Sequence, residues 1–315
     1  MDYIFIILGL IALVGGGEIL VRGATSIALK FKITPFVVGM TVVAFGTSAP
    51  ELLVSLSAAL DGSPDISIGN VVGSNIANIA LVLGATALVY PIRVSKTSLS
   101  VDWPMLMLAS LLFYFFILNL KLEWYEGIIF VSILATFTIW MIRKSRKAGL
   151  KKADEVSNDL DKEGMKEMNI WMSFLLIAGG CSGLVIGADW LVYGAKNIAR
   201  SYDVSESVIS LSMIAIGTSL PELATSIVAA FKKQTDIAIG NILGSNLFNI
   251  LSILGITAIV KEINVNELIL QSDIFWMLGL SAILLPMMLL RRDIDRVEGS
   301  LLLIAYAAYM YFLIS

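Results

Sequence analysis

Phe45 to Glu51 reads FGTSAPE, and Ile216 to Glu222 reads IGTSLPE. From Glu51 to Glu222 the displacement is 171 residues, and the surrounding sequence repeats at the same displacement. GGEILVRGA from Gly16 matches GADWLVYGA from Gly187, and DISIGNVVGSNIANI from Asp65 matches DIAIGNILGSNLFNI from Asp236. Three gapless matches at one displacement are the signature of an internal duplication.

The duplicated segments lie in an apolar chain. Of 315 residues, 57% are hydrophobic and 15% charged, with a mean hydropathy of +0.87, far from the roughly 25% charged residues of soluble domains. The natural solvent is a bilayer. A span needs roughly 20 mostly apolar residues, and the uncharged runs leave room for about ten helices. The fourth run is expected at Trp103 to Leu118, the fifth at Trp124 to Ile142 and the seventh at Val204 to Phe231. The reading is an all-α polytopic membrane protein, about ten transmembrane helices arranged as two inverted five-helix repeats. Residues 1–142 form the first repeat with its motif region at 39–80, and 169–315 form the second with its motif region at 210–251. With an odd number of helices per half, the second copy enters the membrane from the opposite face.

Residues 143–168 are too charged for hydrocarbon and form a polar linker, helical or disordered. Most of the 22 Lys and Arg residues fall on the linker's side of the membrane. The positive-inside rule then places the linker in the cytoplasm and both termini outside, in a cell membrane. Asp2 stands where a secretory signal carries basic residues, so the first helix is expected to be retained. A net charge of -3 suggests no nucleic-acid partner, and no obligatory protein partner is evident. The linker has no room for a folded calcium-sensor domain. With no histidine and one cysteine, there is no His-based metal site, Ser-His catalysis or intramolecular disulfide.

Within FGTSAPE, Thr47, Ser48 and Glu51 fall on one helical face. Pro50 cannot donate to the Gly46 carbonyl, and Gly46 eases local unwinding, so backbone oxygens are freed beside the carboxylate. Oxygen-rich sites suit hard cations, and irregular backbone at membrane depth survives only where protein or a cavity satisfies it. Ala215, Gly217, Thr218, Ser219, Pro221 and Glu222 repeat the arrangement. The next helix carries Asn70, Ser74 and Asn78 at successive fourth positions, repeated as Asn241, Ser245 and Asn249. An ionised Glu costs about 2.5–3.5 kcal/mol at a span's centre, which makes Glu51 and Glu222 functional candidates. Asn70 and Asn241 are read instead as interhelical hydrogen bonds, and Asn78 and Asn249 as ligand candidates. Glu18 and Asp189 are read as interfacial salt bridges or caps, with assistance to ion entry as the alternative. Gly15, Gly16, Gly17, Gly179 and Gly180 mark close or sliding helix contacts.

FGTSAPE with GNVVGSNIAN, and IGTSLPE with GNILGSNLFN, resemble the two alpha repeats of the calcium/cation antiporter superfamily, closest to its prokaryotic sodium/calcium exchangers. The likeness covers almost the whole chain. It implies sodium-driven calcium transport by alternating access, with the first and sixth helices sliding against the rest. Carried onto this chain, it implies a calcium site of Glu51 and Glu222 with the carbonyls of Thr47 and Thr218. Flanking sodium sites would use Ser48, Ser74, Ser219 and Ser245 with the carbonyls of Ala44 and Ala215. Several relatives place Asp where this chain has Asn249, an exchange associated with potassium co-transport in one branch. Asn at both 78 and 249 leaves two formal negative charges at the centre, the complement of one calcium ion, so potassium is not expected to take part.

The alternative is a proton/calcium antiporter, whose usual GNxxE-type signature is absent. An intramembrane hydrolase using Ser48 or Ser219 lacks histidine and the GxSxG turn. A passive channel or structural membrane protein is a further alternative, which counter-transport of labelled calcium against its gradient would exclude, and no P-loop supports ATP-driven pumping. The chain is not expected to be an enzyme or to hold a cofactor beyond its transported calcium and sodium.

Overall fold

The computed structural model describes residues 2–155, 168–202 and 216–314. The helices are α1 (Asp2–Phe31), α2 (Pro35–Thr47), α3 (Ala49–Leu60), α4 (Ile66–Val89), α5 (Ser98–Asn119), α6 (Trp124–Glu155), α7 (Ile170–Ser201), α8 (Leu220–Phe231), α9 (Thr235–Val260), α10 (Ile269–Leu290) and α11 (Arg296–Ile314). Among the described residues, seven helices are long and apolar enough to cross a membrane, or eight with α2 and α3 taken as one bent span. The chain is a multi-pass membrane protein.

Two boundaries depart from the hydropathy reading. Helix α5 begins at Ser98, before Trp103, because Ser98–Asp102 forms a wide helical turn ahead of the apolar run. Helix α6 continues through Arg143 to Glu155, since backbone hydrogen bonds within a helix need no apolar surroundings. Of the expected seventh run, residues 204–215 lie outside the described residues, and α8 is its remainder.

The elements repeat as the sequence does. Helix α3 (Ala49–Leu60) returns as α8 (Leu220–Phe231), and a wide turn at Asn78–Leu83 returns at Asn249–Leu254. Gly62 and Lys233, equivalent positions after α3 and α8, both have positive φ, 86° and 59°. Glycine adopts that conformation without strain, while Lys233 needs the turn around it to hold it. Two-residue strands link the copies: β1 (Ile92–Arg93) pairs antiparallel with β4 (Asp293–Ile294), and β2 (Lys121–Leu122) with β3 (Ile263–Asn264).

Burial sorts the helices into layers. In their apolar windows, 78% of α4 and 83% of α9 is buried, against 22% for α6 and α7. Helices α4 and α9 therefore stand at the centre, and the outer helices show Leu8, Leu53, Phe115, Leu175, Phe275 and Leu290 to the surroundings. Glycines set the central spacing. A Cβ on Gly240 would lie 2.4 Å from the Phe36 carbonyl, and one on Gly244 2.6 Å from that of Met40, so α2 lies backbone to backbone on α9.

Helices α1 and α7 form a separate antiparallel pair in front of this core. Gly9 faces Gly187, Gly16 faces Gly180 and Gly23 faces Ser173, a seam with a seven-residue step. Ser26 and Ser173 share a hydroxyl hydrogen bond of 2.8 Å at one end. Small residues at such seams let helix axes approach where lipid offers no hydrophobic drive to associate. A Cβ on Gly16 would fall 2.8 Å from the Leu184 amide nitrogen, and one on Gly180 2.6 Å from that of Leu20. Backbone cannot move aside as a side chain can. Gly16→Ala or Gly180→Ala is expected to destabilise the protein by about 1–3 kcal/mol through overpacking, read as a lowered melting temperature in detergent. Gly15→Ala is the control, since its Cβ would meet nothing within 4 Å. Equal melting of all three would show that the seam does not limit the approach of the helices.

Candidate cation site

The continuous path of the second expected span breaks at Ser48, where α2 and α3 meet at 44°. Ser48 has φ -88° and ψ 4°, outside the helical region, and Ser219 before α8 has φ -88° and ψ 1°. In both copies the proline two residues on removes the amide that would carry the helix through. The break places Glu51 in the first turn of α3 and Glu222 in the first turn of α8. Helix N-termini, with their unpaired amides, favour negative charge there.

Both carboxylates are fully buried, at 0% exposure. Glu222 Oε1 accepts from Ser48 Oγ at 3.0 Å and from Ser245 Oγ at 3.4 Å, so groups of both copies meet on one oxygen. Among the described residues, Glu222 Oε2 and both oxygens of Glu51 have no hydrogen-bond partner, and no salt bridge reaches either residue. Thr47 Oγ1 lies 3.2 Å from Asn241 Oδ1, 3.4 Å from Ser245 Oγ and 3.3 Å from the Ala44 carbonyl. Ser74 and Thr218 hydroxyls are 3.2 Å apart, the counterpart of the Thr47 and Ser245 contact. The amides of Asn78 and Asn249 are buried, with neither N nor O partnered.

The two copies are not equivalent in their contacts. Among the described residues, Ser48 and Ser245 turn to Glu222, while Ser219 Oγ is unpartnered and Ser74 turns to Thr218, so that no described hydroxyl donates to Glu51. Ala215, the remaining backbone candidate, lies outside the described residues. Asn70 donates to Ser55 Oγ at 3.0 Å and Asn241 to Ser226 Oγ at 3.2 Å, which bears out their reading as interhelical bonds. Glu18 forms ion pairs with Arg22 and Lys232, as read.

Several polar residues escaped the sequence reading. Asn75 donates to the Asn246 carbonyl at 3.3 Å and ties α4 to α9. Both asparagines sit in the repeated GSN triplet, which was the available signal. Asp102, 1% exposed in α5, and its equivalent Asp273 in α10 were likewise visible only as a repeated acid in an apolar run. The wide turns that begin at Asn78 and Asn249 had no signal in hydropathy; such turns recur at functional positions in helices.

Among the described residues no group of three or more His, Cys, Asp or Glu side chains gathers around a common point. A cation here would meet two carboxylates and a surplus of neutral oxygens: hydroxyls, amide oxygens and carbonyls. That donor set fits hard ions such as sodium and calcium, and lacks the thiolates and imidazoles that zinc or copper favour.

Comparison with known proteins agrees with this chemistry. The family profile described as sodium/calcium exchanger protein matches residues 1–143 and 172–315. A putative antiporter, CaxA of Alkalimonas amylolytica, is 39% identical over 99% of this chain and 98% of its own. The sodium/calcium exchanger MaX1 of Methanosarcina acetivorans is 30% identical over 98% of this chain and 97% of its own. A structure of the sodium-calcium exchanger NCX_Mj, soaked with Na+ and Sr2+, superposes with a TM-score of 0.82 at 30% identity, covering 98% of this chain and 97% of that one. The chain belongs to the sodium/calcium exchanger protein family.

Proposed function

We propose that the protein exchanges sodium for calcium by alternating access, without potassium, in a membrane where its linker is cytoplasmic and its termini are outside. In this reading ten helices form two inverted five-helix repeats, with the ion centre between them. The antiparallel course of α1 and its repeat mate α7 supports the inversion, as does the exchange of strands between copies.

The observation that carries the reading is the burial of Glu51 and Glu222 with no cationic partner among the described residues, Glu222 accepting from a hydroxyl of each copy. Two buried carboxylates demand compensating positive charge, and one calcium ion or two monovalent ions supply it. Calcium is assigned to Glu51 and Glu222 with the Thr47 and Thr218 carbonyls. Sodium is assigned to positions beside Ser48, Ser74, Ser219 and Ser245, with the Ala44 and Ala215 carbonyls. Asn78 and Asn249 add neutral oxygen. Occupation by one kind of ion excludes the other, and a centre left with two bare carboxylates does not cross between faces because its charge would move through hydrocarbon. Those two conditions couple the fluxes.

Calcium uptake into vesicles, with sodium, potassium and proton gradients imposed separately, tests the driving ion. Uptake is expected with outward sodium alone; uptake driven by a pH gradient in sodium-free buffer would make the protein a proton/calcium antiporter instead. Glu51→Gln and Glu222→Gln are each expected to abolish uptake, and retention of wild-type exchange in both would remove the carboxylates from the site. Ser48→Ala deletes a hydrogen bond to a charged group, so the sodium KM is expected to rise about tenfold. Asn249→Asp adds a third negative charge, and exchange is then expected to require a further monovalent cation. Unchanged ion dependence in that variant would place residue 249 outside the centre.

A further inference from the structure

The repeat has two pseudo-equivalent edges where a long front helix passes a short core helix: α1 past α8, and α7 past α3. They differ in charge. At the first edge Glu18 Oε1 lies 2.6 Å from Arg22 Nε and 2.5 Å from Lys232 Nζ, so one carboxylate oxygen joins α1 to the end of α8. Glu18 and Lys232 are only about a third exposed, at 31% and 28%, while Arg22 is 64% exposed. Two helical turns beyond Glu18, Thr25 Oγ1 lies 2.8 Å from the Val21 carbonyl of its own helix and 3.2 Å from Gln234 Oε1 in the turn after α8. Immediately before Glu18, a Cβ on Gly17 would stand only 3.4 Å from Ala224, Thr225 and Val228 of α8, so the two helices lie close there.

At the second edge the residues displaced by 171 from Glu18, Arg22 and Lys232 are Asp189, Tyr193 and Asp61. Two acids and a tyrosine cannot form the pair. Asp189 and Asp61 are exposed with no described cation bound to them, and α7 makes at most marginal contact with α3. The same asymmetry appears at the centre, where serines turn to Glu222 and leave Glu51. A duplicated fold has supplied two matching edges, and sequence divergence has put a fastening on one.

We propose that Glu18 and Lys232 form a one-sided latch that holds α1 against α8 and keeps the ion centre closed toward the face on which α8 ends. They are positioning residues: neither reaches an ion-centre oxygen, and they act by fixing where α1 lies. The inference rests on the alternating-access reading above, in which that face is cytoplasmic. A ligand sees its affinity reduced by the fraction of protein in the competent state, so a latch that favours the outward-facing state weakens apparent binding from the cytoplasmic side. A partly exposed pair of this kind is expected to shift the balance about threefold to fivefold.

The test uses full-length protein reconstituted in vesicles with known sidedness. Lys232→Gln and Glu18→Gln are each expected to lower the calcium KM on the linker side about threefold to fivefold, while the KM on the opposite side stays the same or rises. Asp61→Lys, which places a cation across from Asp189, is expected to shift the two KM values the other way. A second readout needs no transport. In a Cys181→Ser background, Thr25→Cys is expected to react with a membrane-impermeant maleimide about threefold faster from the linker side once Lys232 is also replaced by Gln. Equal labelling rates, or KM values that move together on both sides, would overturn the latch. Failure of wild-type exchange with faster labelling in the Lys232 variant would overturn the transport reading and leave the latch standing.

Discussion

An ionised carboxylate has no place in hydrocarbon unless positive charge or hydrogen-bond donors surround it, and this fold buries two of them completely. Much of the architecture answers to that constraint. The polar-striped helices α4 and α9 occupy the centre, where their asparagines and serines face protein and not lipid. The helices that carry Glu51 and Glu222 break just before them, so each carboxylate sits in a first helical turn near unpaired amides. Most of the exposed large apolar side chains lie on the helices around α4 and α9, where the surroundings accept them.

The two copies are held together in a way that leaves neither half self-sufficient. Short strands cross-pair, a Cβ on Gly84 would meet the Gly299 carbonyl at 2.9 Å, and one on Gly127 would meet that of Gly255 at 2.5 Å. These contacts lock α4 to α11 and α6 to α9, each across the division between copies. The α1 and α7 pair is different in kind. Its seam is built on facing glycines, and among the described residues it touches the short core helices along one edge far more than the other. In the proposed mechanism, a core bound across the copies and a front pair fastened at one edge would be the parts that move against each other.

The donor set also bears on selectivity. Two formal charges among many neutral oxygens discriminate less by charge than a cluster of three or four acids would, so size and dehydration decide more. Replacing a neutral amide at Asn78 or Asn249 by an acid changes the ion balance without altering the backbone around it. In this proposed site, the charge count is thus a property of two positions.

Hydropathy and the 171-residue displacement made the membrane, the helical class and the pairing of Glu51 with Glu222 readable from the chain. Those features depend on local composition and periodicity, which a linear string carries. The bend at Ser48 was also legible, because proline acts on the helix that contains it. The wide turns at Asn78 and Asn249, the Asn75 bond to Asn246 and the Ser55 and Ser226 partners of Asn70 and Asn241 were not. Each depends on a neighbour distant in sequence or on how one helix accommodates another. Most plainly, two nearly identical motifs cannot say which glutamate receives the serine hydroxyls or which edge is fastened. Only the packed structure breaks that symmetry, because there the equivalent residues of the two copies meet different neighbours.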